Sequence, residues 1–132
     1  MSFCLILLAG GNSHRFKSNI SKSYQKIAGK SLVEINVNKA LQFKQIKKII
    51  LVYNKKDLKR AKSLKLKNIK LILGGKNRQI STLNALNYLN NIKGISKVMI
   101  HDVARPNFSL KLFDKIIKNM KNSKAVVPKI KI

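Results

Sequence analysis

The chain has 132 residues, 45% of them hydrophobic, a length and composition typical of one globular domain. Its 29 lysine and arginine residues against four aspartate and glutamate residues give a net charge of +25, which favours polyanionic partners such as nucleic acid, a membrane surface or phosphorylated substrates. Because the lysines are spread through every segment and no basic run is interleaved with aromatic residues, the composition argues against a dedicated nucleic-acid-binding surface.

The first apolar run, Phe3–Ala9, predicts a buried β-strand. It contains Cys4, the single cysteine, so an internal disulfide is excluded and we expect a buried thiol in a reducing compartment. The run lacks the basic flank and the cleavage site of a secretory signal, and no later segment approaches the length of a membrane span. These features predict a cytoplasmic protein without a membrane partner.

Apolar periodicity alternates along the rest of the chain between short buried runs and helical repeats. Further strands are predicted over residues 46–53, 69–73 and 97–101, and a fifth begins in residues 124–130. Helices are predicted over residues 31–43, 57–66, 79–92 and 109–120. This alternation indicates an α/β protein with a mostly parallel sheet, organised as one three-layer domain over residues 1–132.

Single residues add detail to the predicted helices. Ser31 and Glu34 are expected to form a capping box at the start of the first helix, and Ser109 is the expected N-cap of the last. Asp57 and Asp114, like Glu34, are interpreted as solvated or capping groups. In the third helix, the apolar residues predicted to share one face are Ile80, Leu83, Leu86 and Leu89.

Three loops after predicted strands carry the unusual residues of this sequence. They read "AGGNSHR" after the first strand, "GGKNRQIS" after the third and "HDVARP" after the fourth. In a parallel α/β sheet, ligands bind beyond the carboxyl ends of the strands. The convergence of three loops on that edge therefore predicts a single binding site.

The first of these loops has the chemistry of an anion-binding site. Gly10 and Gly11 let the backbone pass close to a ligand and direct N–H groups towards an anion. Arg15 and Lys22 add cations that would neutralise a triphosphate and the charge developing at a phosphorus under attack. The spacing matches neither G-x-G-x-x-G nor GxxxxGK[ST], so the dinucleotide fingerprint and the Walker loop do not apply.

The order of these motifs resembles that of the methylerythritol-phosphate cytidylyltransferases of the non-mevalonate isoprenoid pathway. The matching motifs are A-G-G-x-S-x-R followed by S-K-S-Y, then G-G-x-x-R-x-x-S, then H-D-V-A-R-P, and they extend from Ala9 to Pro106. The resemblance implies a Rossmann-like nucleotidyltransferase fold with three αβα layers. It also implies an enzyme that joins CTP to methylerythritol phosphate and releases pyrophosphate, with Mg²⁺ as its cofactor.

The same resemblance implies a role for each motif residue. Arg15 and Lys22 would be the catalytic residues that hold the triphosphate and stabilise the pentacoordinate phosphorus. The implied nucleotide-binding residues are Ala9, Gly10, Gly11, Ser13, Gly75, Ser81 and Val103. Asp102 and Arg105 would bind methylerythritol phosphate. No metal ligand is predicted, because the two histidines make no cluster, and His101 is interpreted as a structural residue.

The chain also departs from the family pattern. The family usually has glycine where Ser13 stands, proline where Ser21 stands, glutamine where Ser23 stands and alanine where Val103 stands. Loss of the proline loosens the approach to Lys22, which favours reduced activity. Because the chain is little more than half of a usual family member, it is interpreted as an N-terminal fragment, truncated at its C-terminal end, of an enzyme that forms a homodimer.

Two alternatives remain open. One is a cytidylyltransferase for ribitol phosphate or another sugar phosphate, whose loops also contain A-G-G and H-D-A-V-R-P. The order V-A-R at residues 103–105 and the short interval between Arg15 and Lys22 favour methylerythritol phosphate. The other alternative, a basic nucleic-acid-binding module, would need its lysines gathered on one face.

Overall fold

The computed structural model describes residues 1–9, 21–64, 66 and 68–129. Its strands are β1 (Phe3–Ala9), β2 (Lys26–Ile27), β3 (Lys30–Ser31), β4 (Ile46–Tyr53), β5 (Ile69–Leu73) and β6 (Lys97–Asp102). Its helices are α1 (Leu32–Ala40), α2 (Leu58–Ser63), α3 (Arg78–Leu89) and α4 (Leu110–Asn119), with 3-10 turns at Lys22–Tyr24 and Lys55–Asp57. Four strands form a parallel sheet in the order β5-β4-β1-β6, and β2 and β3 form a separate short antiparallel hairpin.

Strand β1 lies inside the sheet and is buried along its whole length. It pairs in parallel with β4 on one side and with β6 on the other. Because successive side chains of a strand point to opposite faces, Leu5 and Leu7 pack into one apolar layer, and Cys4 and Ile6 pack into the other. Burial raises the pKa of the Cys4 thiol to about 11, so the cysteine is a protonated core residue, as predicted.

Helices cover both faces of the sheet. Helices α1, α2 and α4 pack against the face that carries Leu5 and Leu7, while α3 packs against the opposite face. This arrangement confirms the predicted three-layer αβα fold. The capping box of α1 is also present, because the Glu34 amide donates to the Ser31 hydroxyl at 3.1 Å and the Ser31 amide donates to the Glu34 carboxylate at 3.3 Å.

The predicted apolar face of α3 is wrong. Ile80, Leu83 and Leu86 are 39%, 52% and 38% exposed, whereas the buried residues of this helix are Ser81, Ala85 and Leu89. Residues three apart drift by about 60° around an α-helix at each step, so Ile80 and Leu89 lie on opposite sides. The four-residue spacing of Ser81, Ala85 and Leu89 drifts by only about 40° per step, and the small side chains of Ser81 and Ala85 bring α3 close to the sheet.

The predicted fifth strand is also wrong within the described residues, because residues 124–129 belong to no strand. Residues 125–128 instead line an open groove of about 970 Å³, together with residues 98–101 of β6 and residues of α4. Val126 packs against the core while Val127 is 82% exposed, and Pro128 has no N–H to donate to a neighbouring strand. The alternation of apolar residues is therefore present without the backbone pairing that defines a strand.

Candidate active site

The strand register aligns the carboxyl ends of the four parallel strands. Ala9 at the end of β1 lies opposite Tyr53 at the end of β4, which lies opposite Leu73 at the end of β5. On the other side of β1, Leu8 lies opposite Asp102, the last residue of β6. Since neighbouring strands are about 4.8 Å apart, these ends lie within roughly 15 Å of one another. The three motif loops therefore leave the sheet at one edge, as the sequence predicts.

The segment after β1 is described at its two ends only. Ala9 is buried at the sheet edge. Among the predicted site residues, those that lie outside the described part of the chain are Gly10, Gly11, Ser13 and Arg15. Lys22 opens the 3-10 turn and is exposed, while its neighbours Ser21 and Ser23 are buried. The turn thus holds the backbone of Lys22 and leaves the side chain at the surface.

The loop after β5 packs tightly against the first turn of α3. The Gly74 amide donates to the carbonyl of Tyr53 at 2.8 Å, and the Gly75 amide donates to the hydroxyl of Ser81 at 3.0 Å. A Cβ atom on Gly75 would collide with the side chain of Ile80, so this close approach requires glycine. Gly75 and Ser81, two of the predicted nucleotide-binding residues, are therefore in direct contact.

An ion-pair cluster joins this loop to the loop after β6. The Arg78 Nε donates to one carboxylate oxygen of Asp102 at 3.1 Å, and the Arg105 Nε lies 3.8 Å from the other oxygen. Arg78 follows β5 and Asp102 ends β6, so the pair connects the two outer strands of the sheet. Both arginine side chains are largely exposed, at 60% and 80%, so their remaining N–H groups can reach an anionic ligand.

Side chains of helix α1 donate hydrogen bonds to backbone carbonyls of the loop after β6. The fully buried Asn36 donates through Nδ2 to the carbonyl of Val103 at 3.0 Å. Lys39 donates to the carbonyls of Pro106 and Phe108, at 3.0 Å for the latter. Val103, predicted to meet the cytidine, has a completely buried side chain within the core. These bonds fix the backbone on which Asp102 and Arg105 are carried.

His101 closes the same loop as a structural residue. Its Nε2 donates to the carbonyl of Arg105 at 2.8 Å, which assigns the proton to that nitrogen, and its ring packs edge-to-face on Phe108 at 4.6 Å. Burial lowers the pKa of His101 from its ordinary value of 6.5, although the Arg105 carbonyl and the charge of Asp102 oppose that shift. The imidazole is therefore neutral at physiological pH.

This lowered pKa predicts a pH dependence of stability. The unfolded chain binds a proton at His101 more readily than the folded chain, so the stabilising contribution is complete above about pH 6.5 and is lost as the pH falls below it. We expect the wild-type melting temperature to fall between about pH 7.5 and pH 5 more steeply than that of His101→Gln. Thermal unfolding across this range measures the difference, and parallel curves for the two proteins would contradict the assignment.

Comparison with known proteins identifies the family. The family model described as 2-C-methyl-D-erythritol 4-phosphate cytidylyltransferase, or IspD, matches residues 3–132. The chain belongs to this family. It is 47% identical over 132 residues to the bifunctional enzyme IspD/IspF of Pelagibacter ubique, and 43% identical over 106 residues to the 2-C-methyl-D-erythritol 4-phosphate cytidylyltransferase of Thermosipho melanesiensis. These matches cover 98% and 76% of this chain.

Solved structures of the cytidylyltransferase family share the fold. The bifunctional IspDF from Campylobacter jejuni superposes with a TM-score of 0.75 at 31% identity, covering 91% of this chain and 31% of that one. The chain spans 35% and 46% of the lengths of the Pelagibacter and Thermosipho relatives. Within the described residues, none of the helices has the length and hydrophobicity that crossing a bilayer requires.

Three contributions to this cytidylyltransferase-family site were missed from the sequence. Arg78 was visible as the arginine of G-G-x-x-R-x-x-S, but nothing in the sequence pairs it with Asp102. Asn36 interrupts the apolar stripe of α1, which is the signal of a buried polar residue with a specific partner. The interpretation of Asp57 as a solvated or capping group is wrong, because its carboxylate is buried and accepts hydrogen bonds from Ser21.

The described residues at the edge do not form a metal site by themselves. The described part of the chain contains no cluster of three or more histidine, cysteine, aspartate or glutamate residues that could hold a metal ion. Asp102, the carboxylate at the end of β6, is already paired with two arginines.

Proposed function

We propose that this chain forms part of a 2-C-methyl-D-erythritol 4-phosphate cytidylyltransferase, which transfers the cytidylyl group of CTP to methylerythritol phosphate in isoprenoid precursor synthesis. The observation that carries the proposal is the ion pair between Arg78 and Asp102. It joins two of the three motifs at the edge of the sheet where the first motif begins. The family match and the two cytidylyltransferase relatives support the same reaction.

The proposed reaction is a displacement at phosphorus. An oxygen of the sugar phosphate attacks the α-phosphorus of CTP, a new P–O bond forms, and the bond to the bridging oxygen breaks with release of pyrophosphate. The attacking phosphate is already anionic, so no general base is needed, and catalysis consists of positioning and charge neutralisation. Arg15 and Lys22 are proposed to supply the positive charge, and CTP to enter as its magnesium complex.

The nucleotide is proposed to occupy the first two loops. Its proposed contacts are Ala9, Gly10, Gly11, Ser13, Gly75, Ser81 and Val103. The tight contact of Gly75 with α3 supports this placement, because it leaves a close-packed backbone surface on which a flat base can lie. Val103 would contribute its backbone position, since its side chain lies in the core.

The sugar phosphate is proposed to bind at the third loop. Asp102 would accept hydrogen bonds from sugar hydroxyl groups, while Arg105, joined by Arg78, would pair with the phosphate. The cluster of one carboxylate between two exposed guanidinium groups supports this division of roles. The resemblance to the family supports a homodimeric complete enzyme, and the single reduced cysteine supports a cytoplasmic one.

Binding and turnover assays on the complete open reading frame that encodes these residues test the function. With Mg²⁺ present, we expect CTP to bind at least about 10-fold more tightly than ATP by calorimetry, because a site for a small pyrimidine excludes a purine. We also expect pyrophosphate release with methylerythritol phosphate to exceed that with ribitol phosphate. Equal affinity for CTP and ATP would contradict the assignment of CTP as the nucleotide. A faster reaction with ribitol phosphate would contradict the assignment of methylerythritol phosphate as the acceptor.

A further inference from the structure

A buried carboxylate lies directly against the residue that precedes Lys22. The Ser21 hydroxyl is 2.9 Å from one carboxylate oxygen of Asp57 and 2.8 Å from the other, so it donates to this group. Asp57 is 1% exposed and Ser21 is 6% exposed. The contact spans 36 positions of sequence and joins the segment after β1 to the 3-10 turn after β4. A charge-assisted hydrogen bond in such a buried place holds its two partners in a fixed geometry.

Lys22 follows Ser21 in a turn that a short series of backbone hydrogen bonds holds. The carbonyl of Ser21 accepts from the amide of Tyr24 at 2.9 Å, and the carbonyl of Lys22 accepts from the amide of Gln25 at 3.1 Å. The carbonyl of Gln25 in turn accepts from the amide of Leu32 at 3.1 Å, which anchors the turn to α1. Ser21 is thus the entry point of a rigid turn whose first residue is Lys22.

The backbone of Ser21 has the conformation of a proline. Its φ of −55° and ψ of 144° lie in the polyproline region, where the proline ring fixes φ near −65°. The family pattern described from the sequence usually has proline at this position, and its ring would restrict the chain before the lysine. In this chain the ring is missing, and the pair of Ser21 and Asp57 supplies a side-chain restraint at the same residue.

We propose that Asp57 is a positioning residue that, through the hydroxyl of Ser21, sets the place of Lys22 at the sheet edge. The assignment rests on the proposed function, because it gives Lys22 its role on the nucleotide. Arg60 lies 3.4 Å from the same carboxylate and keeps its charge compensated inside the protein. Burial first, and then the negative charge of the nearby Asp57, raises the pKa of Tyr24.

Ser21→Ala and Ser21→Pro separate positioning from stability. Alanine removes the restraint, so we expect kcat to fall about 10-fold with little change in the KM for CTP, since a misplaced charge costs most in the transition state. Proline restores the restriction on φ without the hydroxyl, so we expect kcat to return to within about 3-fold of wild type. The double variant Ser21→Ala with Asp57→Asn should be no slower than the slower single variant, because both changes break one contact.

Ile117→Val is the matched control. Ile117 is a buried residue of α4, so this substitution lowers the melting temperature of the protein without changing the contacts of the turn. We expect its kcat to equal that of wild type. A purely structural role for Asp57 would instead make the Ser21 variants follow Ile117→Val, with a lowered melting temperature and an unchanged kcat, and that result would overturn the proposal.

Amide hydrogen exchange distinguishes failure of this inference from failure of the proposed function. The amides of Tyr24 and Gln25 should exchange about 10-fold faster in Ser21→Ala and return towards wild type in Ser21→Pro, whatever the reaction is. If the wild-type enzyme transfers no cytidylyl group, the proposed function fails while exchange still tests the restraint. If the enzyme is active and neither kcat nor exchange responds to Ser21→Ala, the positioning role fails and the function stands.

Discussion

Replacing Lys22 by alanine is expected to lower kcat for cytidylyl transfer by about 100-fold or more, because it removes a donor to the charge that develops on the phosphoryl oxygens. The fold should persist, since Lys22 is an exposed residue whose turn is held by backbone bonds that alanine also makes. Arg15→Ala is expected to have an effect of similar size. Steady-state kinetics with circular dichroism on each variant provide the measurement.

Lys26→Ala is the control for this prediction. Lys26 is an exposed lysine of β2, four residues beyond Lys22, so its removal changes the net charge of the same neighbourhood by the same amount. We expect its kcat to stay near that of wild type. Near-wild-type turnover in Lys22→Ala would show that Lys22 is not the cation that drives the reaction. Equal losses in Lys22→Ala and Lys26→Ala would show that general positive charge, rather than a placed cation, is what matters.

The sheet and its helices could be predicted because their signals are local. The apolar runs of β1, β4 and β5 match the observed strands, and the serine caps at Ser31 and Ser109 mark where α1 and α4 begin. A strand whose side chains are buried on both faces of the sheet needs an apolar layer on each face, and helices supply both layers. Where the local signal was ambiguous, as in α3 and residues 124–129, packing and backbone pairing decided the outcome.

The site could be predicted only in part, because its motifs are local while its contacts are not. The glycines and the H-D-V-A-R-P segment are readable as loops at strand ends, and the structure brings those ends together. The burial of Asp57 could not be predicted from the sequence, because Ser21, which donates a hydrogen bond to its carboxylate, lies 36 positions away. The place of Asn36 in the apolar stripe of α1 does indicate burial, but its partner, the carbonyl of Val103, could not be predicted because it lies 67 positions away.

The acidic residues show how a chain of net charge +25 uses four carboxylates. Asp57 contacts Arg60, Asp102 contacts Arg78 and Arg105, and Asp114 contacts Lys118 at 2.8 Å. Glu34 completes the capping box of α1. Three of the carboxylates therefore fix a helix end, a turn or a loop, the fourth forms a surface pair within α4, and the large excess of cations is left to interact with solvent and with anionic ligands.

Asp102→Ala is expected to act on the acceptor rather than on the nucleotide. We expect kcat/KM for methylerythritol phosphate to fall about 10- to 100-fold, the loss that follows removal of a charged hydrogen-bond acceptor, while the affinity for CTP changes by less than about 3-fold. Asp102 accepts from Arg78 and also holds Arg105 nearby, so the variant loses both an acceptor for sugar hydroxyls and the orientation of two cations. Kinetics with varied sugar phosphate, and calorimetry with CTP, measure the two effects separately.

Asp114→Ala provides the matched control for Asp102→Ala. Asp114 pairs with Lys118 on the surface of α4, so its removal makes the same change in net charge away from the sheet edge, and kinetics with both substrates should be unchanged. The direction of the change in CTP affinity in Asp102→Ala then shows which substrate the two arginines bind. If Arg78 and Arg105 bound the triphosphate, releasing them from Asp102 would tighten CTP binding, whereas cations that bind the sugar phosphate would leave the CTP affinity unchanged. If Asp102→Ala binds CTP more tightly and still uses the sugar phosphate normally, Arg78 and Arg105 bind the nucleotide rather than the acceptor.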